Sequence, residues 1–389
     1  MYAIQAGYLY TPDQVIPNTV VYIDNERIVD INPESIDTKN QDQIIDARNH
    51  IVTPGFIDLQ INGAFGHDFT ADPKSIWQVA PKLPQFGVTS FLPTIITSPL
   101  ETIPNAQKTL LKDLPANFSG SQPLGLHIEG PFLNPERKGA HNPNYLLPPN
   151  KEIYSNFTPS EAVLLTTLAP ELPGALEIID LLTKNGVVVS AGHSMATYDQ
   201  ATLAIDHGVR YGTHIFNAMA PMHQHEPGLV GALLTDQRVK IGLIADGIHV
   251  HPKVIQIIWN TVGQQRLTLV TDAMAALGMS AGKYFINDLD VWVDQDSARL
   301  ESGVLAGSIL SLDTALRNLI HFTNCSLQAG LHTITHNPAQ LLGLHNQLGK
   351  IAPGYFADLT ILTQDYQVAL TICRGKITYR SPEFLSHRA

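Results

Sequence analysis

Residues 187–214 read VVVSAGHSMATYDQATLAIDHGVRYGTH, and this stretch decides the fold class. An apolar, β-branched run at Val187 to Ala191 leads into a helical pattern at Thr197 to His207 and then into a second apolar run at Val209 to Thr213. Gly208 stands where a helix commonly ends. Two buried strands joined by a helix form a unit in which the strands run parallel. A histidine closely follows each strand.

The same alternation extends in both directions along the chain. The eight candidate strands are Phe56 to Ile61, Val88 to Pro93, Pro123 to Ile128, Val163 to Leu168, Val187 to Ala191, Val209 to Thr213, Lys240 to Ala245 and Leu267 to Thr271. Further helical patterns lie at Pro73 to Phe86, Gly174 to Lys184 and Pro252 to Val262. Eight buried strands joined by helices predict a parallel (β/α)₈ barrel of the TIM type rather than an open sheet.

Both ends of the chain are rich in short strand patterns. The patterns are Val20 to Ile23, Ile28 to Ile31, Gln43 to Asp46, Ala357 to Leu362, Leu370 to Ile372 and Ile377 to Thr378. They predict one small β-sandwich domain built from residues 1–51 and 349–389, with the barrel in residues 52–348.

Composition excludes several classes of partner. The 389 residues are 15% charged, against a usual share of about 25%, and the net charge is -11 without any basic block. We therefore expect no nucleic-acid or membrane partner. The two cysteines, Cys325 and Cys373, exclude a thiolate cluster and favour a reducing, cytoplasmic setting. The first basic residue is Arg27, so no secretory signal is expected.

Histidine is the residue type that points to chemistry. Nine of the 16 histidines lie between residues 127 and 251. Glu129, His193 and His214 each stand just beyond a candidate strand, where barrel active sites form. Each alone is as well explained by a hydrogen-bonded polar core residue. Together they supply the two imidazoles and one carboxylate of a catalytic zinc site with an open position.

Other polar residues occupy the remaining strand ends. They are Gln60 and Asn62 after the first strand, Asp246 and His249 after the seventh, and Asp272 after the eighth. Asp272 ends an apolar run, where a carboxylate is costly unless it is paired. Its two interpretations are a helix cap and a general base beside a metal-activated water.

Several runs resemble a known family. The run Val52 to Gly63 resembles the opening of the amidohydrolase superfamily barrel, and Gly349 to Leu362 is similar to its closing strands. The runs that resemble the N-acetylglucosamine-6-phosphate deacetylases are Gly125 to Asn134, Ala191 to Ser194, Thr213 to Met219, Glu226 to Gly228, Ala245 to His249 and Leu305 to Ser308. The resemblance implies hydrolysis of N-acetyl-D-glucosamine 6-phosphate to D-glucosamine 6-phosphate and acetate, in amino-sugar metabolism.

The resemblance also assigns roles. It implies that Glu129, His193 and His214 hold a metal, that Asp272 is the catalytic base and that His141 stabilises the oxyanion. The implied substrate contacts are Ala140, His141, Asn217, Ala218, His225, His249, Leu305, Ala306 and Gly307. The metal is expected to be zinc, although iron, cobalt and manganese suit the same ligands.

Two positions depart from the pattern. Many superfamily members bind two metals through His-x-His on the first strand, whereas this chain has Gln60 and Asn62, so we expect one divalent metal per subunit. The family usually has Arg where His225 stands, and that Arg reaches the phosphate of a neighbouring subunit's substrate. This implies a homodimer with a phosphate contact across the interface. We hypothesise that His223 or His225 replaces the missing guanidinium.

Three alternatives stay open. The same deacetylation could act on a galactosamine phosphate or an unphosphorylated sugar. This alternative remains because His225 stands where the family usually has the phosphate-binding Arg. A cyclic-amide or nucleobase hydrolase is disfavoured because the first strand lacks His-x-His. A non-catalytic sugar- or metal-binding relative would have no need of the base Asp272.

Overall fold

The barrel predicted from the sequence is confirmed by a computed structural model, which describes residues 1–32 and 44–386. Eight parallel strands follow one another in chain order, and each is hydrogen-bonded to the next. In order, they are Phe56–Ile61, Val88–Ile96, Leu126–Glu129, Val163–Leu168, Val188–Ala191, Val209–Gly212, Lys240–Leu243 and Leu267–Leu269. A short strand, Gln122–Pro123, pairs with the second of them.

The barrel closes where the first and eighth strands meet. The backbone N–H of Asp272 donates to the carbonyl of Gln60 at 2.8 Å, and that of Asn62 donates to the carbonyl of Ala273 at 2.7 Å. Ile61 and Ala273 form an isolated parallel bridge. These contacts fix Asp272 against the end of the first strand.

Helices cover the outside of the barrel, so its strands are shielded on both faces. Every residue of Phe56–Ile61 and of Val88–Ile96 is buried. The α-helices are Ile76–Val79, Thr102–Lys112, Lys151–Tyr154, Ala175–Lys184, Tyr198–His207, Gly228–Thr235, Pro252–Arg266, Leu312–Thr323, Leu327–His332, His336–Leu341 and Pro382–Ser386. None of the helices in the described part of the chain is both long and apolar enough to cross a membrane.

One predicted helix is divided in the structure. The pattern at Pro73 to Phe86 forms a 3₁₀ turn at Pro73–Ser75, an α-helical turn at Ile76–Val79 and a 3₁₀ turn at Leu83–Phe86. Pro84 lies inside the last turn and lacks the N–H that a continuous helix would need. The other 3₁₀ turns among the described residues are Pro135–Arg137, Pro143–Tyr145 and Pro159–Glu161.

The two chain ends come together in one β sheet, in agreement with the prediction that both termini contribute to one small β domain. Its seven strands form a continuous sheet with its own hydrophobic cluster, which includes Ile4, Val21 and Ile372. From one edge to the other, the strands are Lys376–Arg380, Val368–Cys373, Leu359–Leu362, Ile44–Pro54, Tyr2–Tyr10, Val15–Asp24 and Arg27–Asn32. Gln43, the first residue of one predicted strand, lies outside the described residues.

A third sheet was not predicted. It contains Gly282–Ile286, Leu289–Val293 and Ala298–Arg299 and follows the eighth barrel strand. Ile286 on its buried face packs in a cluster with Met274 and reaches the cleft described below. The third sheet therefore adds an apolar wall to the barrel mouth.

A short hairpin, Gly63–Ala64 with His67–Asp68, follows the first strand.

Candidate active site

A cleft of about 310 Å³ opens at the carboxyl ends of the barrel strands. The predicted site residues that line it are Asn62, Glu129, Ala140, His141, His193, His214, Asn217, Ala218, His249, Asp272, Leu305 and Gly307. They come from loops that are far apart in the sequence, and barrel closure brings these loops to one face.

Glu129, His193 and His214 form a compact, buried cluster in this cleft. Oε1 of Glu129 lies 3.0 Å from Nε2 of His193 and 3.1 Å from Nε2 of His214, and the two nitrogens are 3.2 Å apart. Each residue is at most 4% exposed. Within the described ranges, no other group of three His, Cys, Asp or Glu side chains brings its ligand atoms within 4.8 Å of one another.

The backbone just beyond the strands turns these side chains into the cleft. His193, His214 and Asp272 have φ angles of 50°, 30° and 47°, in the left-handed region that side-chain-bearing residues seldom adopt. Such conformations persist when the surrounding contacts hold them, and they concentrate at functional sites. A Cβ at Gly192 would lie 2.9 Å from Cβ of Thr213, so the close approach beside His193 requires glycine.

The hydrogen bond at the far side of His193 fixes its tautomer. Its Nδ1 lies 2.9 Å from the carbonyl oxygen of Arg137. A carbonyl only accepts, so Nδ1 carries the proton and the neutral ring presents the lone pair of Nε2 to the cluster. Metal-binding histidines in proteins are commonly oriented in this way.

The donor set fits a divalent metal ion. Burial favours the neutral acid, but the adjacent imidazoles of His193 and His214 hold the pKa of Glu129 well below its ordinary value. A neutral His193 would direct its lone pair at the anionic oxygen of Glu129, an arrangement that is repulsive unless positive charge lies between them. Two imidazoles and one carboxylate are the three protein ligands of many catalytic metal sites.

Asp272 lies beside the cluster but has different neighbours. Its Oδ1 accepts hydrogen bonds from Nδ2 of Asn62 at 2.7 Å and from Nε2 of Gln60 at 3.2 Å. The same Gln60 nitrogen lies 3.2 Å from both carboxylate oxygens of Glu129. Burial and the negative charge of Glu129 raise the pKa of Asp272. The amide of Gln60 thus bridges the two carboxylates, while that of Asn62 contacts Asp272 alone.

His141 has the opposite tautomer to His193. Nδ1 of His141 accepts from the backbone N–H of Thr97 at 3.3 Å and lies 2.9 Å from the Thr97 hydroxyl, which can donate to it as well. With Nδ1 as the acceptor, the neutral ring carries its proton on Nε2. Burial, reinforced by His193, lowers the pKa of His141 to about 3, so the ring is neutral at pH 7. Nε2 lies 4.0 Å from Oε2 of Glu129. His141 therefore presents an N–H donor to the cleft.

The other cleft residues surround this centre. Nδ1 of His249 lies 2.6 Å from Oδ2 of Asp246, which orients the ring. Asn217 donates through Nδ2 to the carbonyl of His214 at 3.2 Å, and Ala218 is next to it in the chain. These contacts fix polar groups around the Glu129 cluster.

Three of the predicted site residues do not line the cleft. Gln60 is 1% exposed and contacts the carboxylates of Glu129 and Asp272. Ala306 is fully buried in the hydrophobic cluster of the third sheet. His225 is exposed, and its ring centroid lies 5.4 Å from that of His223, away from the cleft of its own chain.

Sequence reasoning missed several residues at this site. Arg137 lines the cleft and is the only lysine or arginine among its lining residues. The apolar wall contains Ile96, Ile286 and Val304. Arg137 lies four residues before His141 in the sequence, and its positive charge was the feature that could have indicated a role at the site. The contribution of Ile286 depends on the third sheet, which sequence reasoning did not predict.

The comparisons with known proteins agree with this geometry. The model of the amidohydrolase family matches residues 51–378. The N-acetylglucosamine-6-phosphate deacetylase of Rattus norvegicus is 36% identical over 383 residues, which cover 93% of this chain and 92% of that protein. The chain belongs to the N-acetylglucosamine-6-phosphate deacetylase family of amidohydrolases.

Solved structures of family members superpose closely on the chain. The crystal structure of the deacetylase from Pasteurella multocida has a TM-score of 0.91 at 32% identity and covers 98% of this chain and 100% of its own. A variant of the Mycobacterium smegmatis deacetylase was solved in complex with N-acetyl-D-glucosamine-6-phosphate. It has a TM-score of 0.89 at 32% identity and covers 97% of this chain and 99% of its own.

Proposed function

We propose that the chain hydrolyses N-acetyl-D-glucosamine 6-phosphate to D-glucosamine 6-phosphate and acetate. The observation that carries this proposal is the convergence of a buried Glu129, His193 and His214 cluster with Asp272 and the N–H donor of His141 in one cleft. Membership of the deacetylase family supports the choice of substrate.

We propose that Glu129, His193 and His214 hold one divalent metal ion per chain, with zinc the first candidate and iron, cobalt and manganese also suited to these ligands. A bound ion would polarise the acetamide carbonyl and make the attacking water more acidic. The amides of Gln60 and Asn62 already donate to neighbouring carboxylates, which argues against a second ion at the first strand.

Asp272 carries out the proton transfers, and His141 stabilises the negative charge that develops on the carbonyl oxygen. Asp272 accepts a proton from the water that attacks the acetamide carbon and later returns it to the leaving amine. Nε2–H of His141 donates to the carbonyl oxygen as that oxygen becomes negative. The C–N bond then breaks, releasing acetate and the free amino sugar. The raised pKa of Asp272 suits a group that must hold a proton between these two steps.

The rest of the cleft suits a phosphorylated sugar. We propose that Asn217 and Ala218 contact the sugar, that Leu305 and Gly307 cover it, and that His249 meets the phosphate. Arg137 adds a permanent positive charge to the same cleft. That charge favours a phosphorylated over an unphosphorylated substrate.

His225 belongs to a second, cross-subunit proposal. Because it is exposed and away from its own cleft, it could reach a phosphate only in a neighbouring chain. We therefore propose a homodimer in which His223 or His225 lies near the partner's substrate. His223→Ala and His225→Ala are made separately; at least one should raise the Michaelis constant for the phosphorylated sugar, and an unchanged constant in both would contradict this proposal. The cytoplasmic location predicted from the sequence also stays a prediction.

An acetate-release assay tests the proposed reaction. N-acetyl-D-glucosamine 6-phosphate, the galacto analogue and the unphosphorylated sugar are compared at equal concentrations. We expect the first to be turned over with the highest kcat/KM. In Arg137→Met the preference for the phosphorylated sugar should shrink, while the backbone carbonyl that orients His193 is kept. Equal turnover of the unphosphorylated sugar by the wild type would contradict the substrate assignment.

A further inference from the structure

Glu171 lies just beyond the fourth barrel strand, Val163–Leu168, and does not line the cleft. Three donors nevertheless converge on its carboxylate. Oγ of Ser194 donates to Oε2 at 2.7 Å, while the backbone N–H of Met195 at 2.6 Å and Nδ2 of Asn134 at 2.8 Å donate to Oε1. Hydrogen bonds to an ionised carboxylate are stronger than those between neutral groups.

These donors come from two different loops. Asn134 belongs to the loop after the third strand, while Ser194 and Met195 directly follow His193 after the fifth strand. The carboxylate of Glu171 therefore ties the two loops together from outside the cleft.

Both loops set the position of His193. The backbone N–H of Asn134 donates to the carbonyl of His193 at 3.0 Å. Three residues later in that loop, the carbonyl of Arg137 accepts from Nδ1 of His193 at 2.9 Å. His193 itself has a φ of 50°, which surrounding contacts must maintain. A shift of either loop would move the ring away from Glu129 and His214.

We propose that Glu171 is a positioning residue for the metal centre: by joining the loops of Asn134 and Ser194, it holds Nε2 of His193 beside Glu129 and His214, where these three side chains would bind the ion. The inference rests on the proposed metal site and deepens it. It assigns to Glu171 no contact with substrate or metal. Its effect should appear first in metal affinity.

The test measures Zn²⁺ affinity of the metal-stripped full chain by competition with a chromophoric chelator. Residues that orient a ligand typically change metal affinity 10–100-fold, and we expect Glu171→Ala to raise the Kd for Zn²⁺ by roughly that factor. Glu177→Ala is the matched control, because Glu177 is an exposed carboxylate on the adjoining helix, Ala175–Lys184. A wild-type Kd in Glu171→Ala, whatever its melting temperature, overturns the inference.

Glu171→Gln separates positioning from a merely structural role. The amide oxygen can accept from Asn134 and Met195, and its NH₂ can donate to the hydroxyl of Ser194. We expect this variant to keep a Kd within roughly threefold of the wild type, since all three links can be satisfied. A Kd as weak as that of Glu171→Ala contradicts the proposed hydrogen-bond linkage.

If Glu171→Ala does not fold, Ser194→Ala removes one of the three donors and keeps the carboxylate. It should raise the Kd for Zn²⁺ about 3–10-fold, since one hydrogen bond to a charged group is lost. An unchanged Kd in this variant overturns the inference. A wild-type chain that binds no Zn²⁺ contradicts the proposed metal site itself, so the two failures are distinguishable.

Discussion

The two sides of the barrel mouth shift the pKa values of their carboxylates in opposite directions. On the side of the third, fifth and sixth strands, Glu129 faces two imidazoles, and these hold its pKa well below the ordinary value. On the side of the first and eighth strands, Asp272 faces neutral amides, and burial together with Glu129 raises its pKa. Both side chains are acids of the same cleft, Glu129 buried and Asp272 partly buried.

This difference separates a ligand from a base. A metal ligand must stay ionised, and the imidazoles beside Glu129 favour that state. A general base must accept a proton and return it, which the raised pKa of Asp272 allows. The neighbours, and not the residue type, therefore decide the role that each carboxylate has in our proposal.

The largest expected effect comes from Asp272→Asn, which removes the base but retains the shape. We expect kcat for acetate release to fall by roughly 10³–10⁴, since general-base catalysis contributes up to about that factor. Metal content, measured by elemental analysis, should equal that of the wild type. If kcat stayed at the wild-type value, Asp272 would not be the base.

His141→Ala is expected to have the next largest effect. Loss of an oxyanion donor lowers kcat by roughly 10²–10³ with a smaller change in KM. His345→Ala is the matched control, because His345 is exposed and does not line the cleft. Steady-state kinetics separate the two constants. A rise in KM alone would assign His141 to ground-state binding only.

Asp58→Asn tests whether an acid buried between the first and eighth strands also has a raised pKa, through its effect on the free energy of unfolding. Asp58 is 1% exposed and accepts a hydrogen bond from the hydroxyl of Thr271 at 2.6 Å. Burial raises its pKa to about 7. The folded protein therefore holds a proton that the unfolded chain releases above about pH 4, so this group's contribution to stability falls as pH rises from about 4 to 7.

The variant lacks this ionisation. Relative to the wild type, it should gain on the order of 2–4 kcal/mol of unfolding free energy between pH 4 and pH 8. Chemical denaturation at a series of pH values measures the difference. A difference that is independent of pH would show that Asp58 keeps an ordinary pKa.

Gln60→Glu should have a smaller effect on stability. It replaces the neutral amide between Glu129 and Asp272 with a third carboxylate. The new carboxylate would stand about 3.2 Å from those of Glu129 and Asp272, which repel it. We expect the metal-stripped variant to lose about 1–2 kcal/mol of stability and to recover it on binding a second divalent ion. Gln237→Glu, at an exposed position, serves as the control. Wild-type stability and metal content would contradict the role given to the amide.

Much of the fold was predictable because buried parallel strands have a distinctive apolar pattern. That pattern predicts all eight barrel strands, and polar residues at the ends of six of them point to the site. The ends of the second and fourth strands, which gave no such signal, hold Thr97 and Glu171. Their importance depends on contacts with His141 and with the loop after His193, which lie far away in the sequence.

The tautomers of His141 and His193 were likewise beyond sequence reasoning, because backbone groups of Thr97 and Arg137 determine them. The third sheet was missed since its strands are short and Phe285 and Trp292 expose large apolar side chains. Sequence patterns identify the ligand types, whereas the tertiary contacts decide how each one is oriented.

Titration of the metal-stripped protein with Zn²⁺ tests the central claim most directly. Acetate release from N-acetyl-D-glucosamine 6-phosphate is followed as the ion is added. If Glu129, His193 and His214 hold the one catalytic ion, activity rises linearly and levels off at one equivalent per chain. Full activity without added metal, or a break at two equivalents, would contradict the account.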